Sequence, residues 1–80
     1  MRYFLDIRTG DQVIPDREGE DFIDILLACE HALDVANELE REFSSVADGA
    51  VAVLPTAVEL VNERRALLLS VPVHNRKSQD

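Results

Sequence analysis

Three acidic side chains, Asp6, Asp16 and Glu59, stand where a carboxylate could do acid–base chemistry. Such catalysis needs two carboxylates that converge in one pocket and have displaced pKa values. The alternation of apolar and polar residues puts Asp6 and Glu59 on the outward side of two strands, and Asp16 falls in a turn. We therefore predict that all three are solvated acids. No catalytic residue is expected, and the chain is predicted not to be an enzyme.

The single cysteine lies close to a histidine, but their spacing argues against a shared metal. Cys29 and His31 are two residues apart in a segment of helical periodicity, where such side chains point about 200° apart. Cys29 belongs to the apolar stripe of this segment, so its thiol is expected to behave as a small hydrophobic group. The three glycines are isolated and form no phosphate-binding loop. The sequence predicts no metal site and no cofactor.

Composition restricts the partners that can be expected. The chain has 80 residues, of which 16 are acidic and 8 basic, and a formal net charge of −8. Nucleic acids and anionic membranes are bound by clustered Lys and Arg, so neither is an expected partner. No apolar run approaches the roughly 20 residues of a membrane span, and one cysteine fits a reducing compartment. We expect a cytoplasmic protein.

Two β-hairpins that flank one helix must position these residues. Residues 3–7 and 13–14 form the first hairpin, with Arg8 opposite Val13. Residues 58–61 and 67–71 form the second, with Val61 opposite Ala66. Residues 16–23 read as a loop, and residues 44–56 fit either an extended connector or an extra short strand. One domain over residues 1–73 and a disordered polar tail over 74–80 are expected.

The helix is predicted to begin near Asp24, a good N-cap residue, and to run for roughly 18–22 residues. Ala28, Ala32, Ala36 and Leu39 share the face that should pack on the sheet. The fold class is therefore α+β, in the order β-β-α-β-β, with one long helix packed on one face of a small antiparallel sheet.

One helix covers only one face of a sheet, so the outer face is expected to be an uncovered interface. Closed two-fold dimers are the commonest oligomers, and we expect a homodimer. In it, Arg8 of one copy would pair with an acid of the other. The predicted interface residues are Phe4, Asp6, Arg8, Val13, Glu59, Val61 and Leu68.

An acidic ridge follows the exposed side of the helix. Glu30, Asp34 and Glu38 recur every four residues, a spacing at which like charges repel weakly. A solvated face is the simpler interpretation. The alternative is a surface for a basic protein partner.

Four segments taken together resemble a known family. "RYFLDIRTG", "IPDREG", "DILLACEHAL" and "VELVNERRALLLSVP" are similar, in order and spacing, to a bacterial domain-of-unknown-function family of short β-β-α-β-β proteins common in soil alphaproteobacteria. The resemblance covers about residues 2–43 and 57–73, whereas the apolar segment 46–56 departs from the family pattern. It implies a small α+β domain without an established activity.

A second resemblance is to the N-terminal domains of HicB-type antitoxins. It rests on "MRYFLDI", on Pro15, Asp16 and Gly19, and on the Ala-rich helix. It implies an inhibitor that binds a basic ribonuclease toxin, although the loop is shorter here and lacks the usual Gly-Asp-Thr before the helix. The leading expectation is a self-associating interaction or structural domain, and the antitoxin-like inhibitor is the alternative.

Overall fold

A computed structural model of the chain describes residues 1–44 and 54–74. Along the chain it places β1 (Arg2–Thr9), β2 (Gln12–Ile14), β3 (Glu20–Asp21), α1 (Ile25–Ser44), β4 (Ala57–Val61) and β5 (Leu67–Pro72). The strands form one antiparallel sheet in the order β2-β1-β4-β5, and β3 also pairs with β1. One helix packs on one face of this sheet, which confirms the predicted α+β fold. The connector from 45 to 53 and the tail from 75 onwards, for which a conformation was predicted, lie outside the described residues.

The first hairpin forms as predicted, with Arg8 opposite Val13. Gly10 has a φ of 68° in the turn, a conformation that glycine adopts without strain. Strand β2 ends before Pro15, which has no N–H to donate. The segment 16–23, predicted to be a loop, contains the short strand β3. This strand was not predicted because two residues are too few to show a periodicity in the sequence.

Helix α1 begins at the predicted cap. The Asp24 carboxylate accepts the N–H of Leu27 at 3.1 Å, which satisfies one of the free donors of the first turn. Ala28, Ala32 and Ala36 are at most 2% exposed, so the helix backbone lies close to the sheet. The 20-residue helix packs on β4 and β5, above a core that includes Val58 and Leu60.

The predicted register of the second hairpin was wrong. Leu60 pairs with Leu69 and not with Leu67, and an irregularity between Leu60 and Val61 shifts the register. The turn is longer than expected because the Asn62 side chain organises it, accepting the N–H groups of Arg64 at 2.9 Å and of Ala66 at 3.0 Å. A shift of two residues keeps Leu69 on the core side but leaves Leu67 at the end of the strand, 57% exposed.

Candidate functional site

The outer face of the sheet, opposite the helix, is built around a buried carboxylate. Asp6 is only 3% exposed. Its Oδ1 accepts the N–H of Asp16 at 3.0 Å, and its Oδ2 is bound by the guanidinium of Arg65. The prediction that Asp6 is a solvated acid was therefore wrong. The loop after β2 and the turn between β4 and β5 both fold over it, and the ion pair makes its burial tolerable.

Asp16 ties the loop after β2 to the edge of β1. Its Oδ2 accepts the N–H of Leu5 at 3.1 Å, and its Oδ1 accepts those of Glu18 and Gly19, each at 3.1 Å. Leu5 lies between the part of β1 that pairs with β2 and the part that pairs with β3. At this position the Asp16 carboxylate takes the place of a strand carbonyl as the acceptor for the Leu5 N–H. Burial acts to raise the pKa of Asp16. The hydrogen bonds from the three N–H groups outweigh it, and the pKa of this carboxyl lies below its ordinary value.

Arg65 and Gly19 both pack on the aromatic ring of Phe4. The guanidinium carbon of Arg65 lies 5.6 Å from the ring centroid, in cation–π geometry. Arg65 has a φ of 63°, a left-handed conformation that costs a non-glycine residue about 1 kcal/mol. Its contacts with Asp6 and Phe4 offset this cost. We call Phe4, Asp6, Asp16, Gly19 and Arg65 the outer-face cluster.

A second ion pair lies beside the outer-face cluster. Glu59 stands opposite Asp6 in the pairing of β1 with β4, so two acids face each other across the strands. Each acid forms an ion pair with a different arginine. Asp6 pairs with Arg65, and Glu59 pairs with Arg8, whose Nε lies 2.7 Å from Glu59 Oε2. The hydrogen bond to Glu59, helped by its charge, raises the pKa of Arg8. Arg8 therefore already pairs within its own chain, whereas the sequence predicted a pairing between copies.

The predicted apolar patch on the outer face is not continuous. Val61 is only 5% exposed, so the expectation that it lies uncovered was wrong. Phe4 is half-buried in the outer-face cluster, and the Glu59 side chain is 13% exposed. The exposed apolar members are Val13 and Leu68, on the two outermost strands of the sheet. Polar contacts within the chain occupy the centre of this face.

These contacts make the carboxylates parts of the scaffold. Both oxygens of Asp6 and both oxygens of Asp16 accept hydrogen bonds from donors of the same chain. Within residues 1–44 and 54–74, no three His, Cys, Asp or Glu side chains are grouped so as to hold a metal ion. Cys29 is half-buried at the edge of the core, and the nearby His31 lies 3.5 Å from Glu20. No helix in the described part of the chain has the length and apolar character to cross a membrane.

A second surface, beside β5, was not predicted from the sequence. Leu26 and Leu33 are 69% and 49% exposed, and with Glu40 they recur every seven residues, which aligns them along one side of α1. Glu40 accepts the N–H of His74, just beyond β5, at 3.0 Å, so this side of the helix faces β5. Leu67 and Leu68 are 57% and 38% exposed on that strand. We call Leu26, Leu33, Leu67 and Leu68 the β5-side surface: Leu26 and Leu33 lie on the helix side of this sheet edge, and Leu68 lies on its outer face. The seven-residue spacing was the signal of its helical part in the sequence.

The acidic ridge lies elsewhere on the helix. Glu30, Asp34 and Glu38 are all exposed. Asp34 and Glu38 border an open depression of about 400 Å³ together with His31 and Arg41. The ridge is thus accessible to solvent and separate from the outer-face cluster.

The low pKa of Asp16 predicts a pH-dependent contribution to stability. A carboxyl whose pKa is lower in the folded chain than in the unfolded chain stabilises the fold above its unfolded pKa of about 3.9, and this stabilisation is lost as the pH falls through the folded value. At pH 7 we expect Asp16→Asn to lower the free energy of unfolding by about 2 kcal/mol. Urea titrations should show the gap to the wild type narrowing as the pH falls below about 4. Asp34→Asn, at an exposed acid, is the control, and an Asp16→Asn deficit that stays constant with pH would contradict the assignment.

Comparison with known proteins identifies the family of this domain. Neither the curated proteins nor the solved structures include a match to the chain. The sequence model of one family, described as a domain of unknown function (DUF6894), matches residues 2–74, which include every strand and the helix. The chain therefore belongs to the DUF6894 family of domains of unknown function.

Proposed function

We propose that this chain is a non-enzymatic, cytoplasmic interaction domain that associates with itself. The observation that carries the proposal is the β5-side surface, where four leucines are exposed along one edge of the sheet, two on α1 and two on β5. Exposed apolar side chains that collect at one edge of a soluble domain are candidate interaction sites. The single cysteine supports a reducing compartment.

The polar groups of the outer face support a structural role for that face. A catalytic carboxylate must be able to reach a substrate, whereas the oxygens of Asp6 and Asp16 are held by donors of the same chain. Glu59 is likewise held by Arg8. The outer-face cluster therefore fixes the loop after β2 and the β4–β5 turn on the sheet, and the exposed leucines remain for recognition.

Sedimentation equilibrium of the wild type and of Leu68→Glu tests self-association. At tens of micromolar we expect the wild type to have twice the 9.0 kDa mass of one chain. We expect Leu68→Glu to shift the mass toward one chain, because a carboxylate would be buried at the contact. Val13→Glu is the matched control: Val13 is 36% exposed, close to the 38% of Leu68, but lies at the opposite edge of the sheet. A wild type that stays at 9.0 kDa would contradict the proposal.

The exposed acidic ridge favours one other function, an antitoxin-like inhibitor that binds a basic ribonuclease toxin. Glu30, Asp34 and Glu38 present three carboxylates to solvent along one helix. They offer a basic protein complementary charge, which speeds and orients association. Capture of a basic protein by the wild type but not by a Glu30→Gln, Asp34→Asn, Glu38→Gln variant would favour this function.

A further inference from the structure

We propose that two copies join edge to edge through β5, forming one continuous antiparallel sheet, with their α1 helices side by side across a two-fold axis. The inference rests on the proposed self-association and names the surface that performs it.

The outer edge of β5 pairs with no strand of residues 1–44 and 54–74. In the sheet order β2-β1-β4-β5, β4 lies on one side of β5 and no strand of the described chain lies on the other. The Val73 N–H donates to the Thr56 carbonyl at 2.9 Å, so Val73 directs its main-chain groups toward β4. Successive residues of a strand alternate in this direction, so Ser70 and Pro72 direct theirs to the open edge. The N–H and C=O of Ser70 are therefore placed to pair with another strand.

The open edge of β5 lacks most of the features that prevent the edge strands of two chains from pairing. Natural edge strands are usually protected by charged side chains, especially Lys, or by Pro. Residues 66–73 contain no charged side chain, and Pro72 is the one protective residue among them. If Ser70 of one copy lies opposite Ser70 of the other, the two residues exchange both of their hydrogen bonds. Each Pro72 then lies opposite Leu68 of the other copy, where the Leu68 N–H can still donate to the Pro72 carbonyl although Pro72 has no N–H to donate in return.

The helix is placed so that edge pairing also brings the exposed leucines together. Helix α1 packs on both β4 and β5, so its axis lies roughly above the space between them. Neighbouring strands are about 4.8 Å apart, which puts the two helix axes about 10 Å apart across the two-fold axis. Packed helices have interaxial distances of about 8–10 Å. Leu26 and Leu33, on the β5 side of α1, would fill the space between the two helices.

Charge favours a second copy as the occupant of this surface. Two chains with a net charge of −8 each repel least when they meet through surface that carries little charge. The segment 66–73 is uncharged, and the helix side that faces it presents Leu26 and Leu33, with one acid, Glu40, which accepts the N–H of His74. A basic partner would find no carboxylate on β5 to pair with. A neutral strand edge is, by contrast, complementary to its own copy about a two-fold axis.

Two substitutions test this arrangement by sedimentation equilibrium, each with circular dichroism to verify the fold. Ser70→Pro removes the outward N–H, and proline is tolerated at a strand edge where the N–H faces solvent. Leu33→Glu places a carboxylate between the helices. The matched control is Leu27→Glu on the same helix, since Leu27 is 43% exposed against 49% for Leu33 but lies on a different side of α1. We expect each test variant to weaken the dimer by about tenfold or more and the control to leave it unchanged.

Each outcome has a definite meaning. A dimeric wild type with monomeric Ser70→Pro and Leu33→Glu supports edge pairing. If Ser70→Pro and Leu33→Glu each dimerise as strongly as the wild type, edge pairing is overturned and self-association is still supported. A monomeric wild type overturns both proposals. If Ser70→Pro does not fold, the comparison of dimerisation in Leu33→Glu and Leu27→Glu tests the arrangement. Equal weakening of the dimer by these two substitutions would overturn edge pairing.

Discussion

Replacing Asp6 by alanine should lower the free energy of unfolding by about 3 kcal/mol. The substitution removes one partner of a buried ion pair and leaves the N–H of Asp16 without its acceptor. Arg65 is half-exposed and can turn its guanidinium to water, which limits the loss. Urea denaturation at pH 7 measures the effect.

Two further substitutions show whether the effect comes from the buried position. Asp6→Asn keeps an acceptor for the Asp16 N–H but loses the charge that Arg65 binds, so about half of the loss is expected. Glu38→Ala, at an exposed acid of the ridge, should change stability by less than about 0.5 kcal/mol. An Asp6→Ala variant as stable as Glu38→Ala would mean that the outer-face cluster does not hold the loop and the turn on the sheet.

The second large effect is expected at Gly19. An added Cβ would lie 2.7 Å from Cε2 of Phe4 and 2.8 Å from the carbonyl oxygen of Tyr3, in a backbone with a φ of +71°. Left-handed strain costs about 1 kcal/mol and overpacking about 1–3 kcal/mol. We therefore expect Gly19→Ala to lower the free energy of unfolding by about 3 kcal/mol.

Gly10 supplies a matched control for this prediction. Its φ is +68°, almost the same, but nothing lies within 4 Å of an added Cβ. Gly10→Ala should therefore show the backbone strain alone, about 1 kcal/mol. Equal losses at the two glycines in thermal or urea unfolding would show that the close packing of Gly19 on Phe4 does not contribute to stability.

The elements that could be predicted from the sequence depend on local signals. The first hairpin follows from Gly10 between two short apolar runs, and the start of α1 follows from the capping chemistry of Asp24. The spacing of the alanines predicted the buried side of the helix, because this periodicity is visible within the helix sequence and does not depend on contacts with other segments.

The features that were missed depend on contacts between distant segments. The burial of Asp6 requires Arg65, 59 residues later, in a left-handed conformation that arginine seldom adopts. The register of the second hairpin depends on how the Asn62 side chain closes its turn, which strand periodicity does not encode. The outer face was consequently predicted to be an open apolar patch, whereas polar contacts occupy its centre and Leu68 is exposed on β5 at its edge.

Amide hydrogen exchange at Ser70, followed by NMR at high and low protein concentration, tests the central claim most directly. In a single chain the Ser70 N–H points to the open edge of β5 and should exchange rapidly. In the edge-paired dimer it donates to the second copy. Edge pairing predicts that this amide is protected at concentrations where the chain is dimeric, and that the protection is lost on dilution and in Leu33→Glu. The Val71 amide should stay protected throughout by its pairing with β4. Rapid exchange of Ser70 in a sample that sedimentation shows to be dimeric would contradict it.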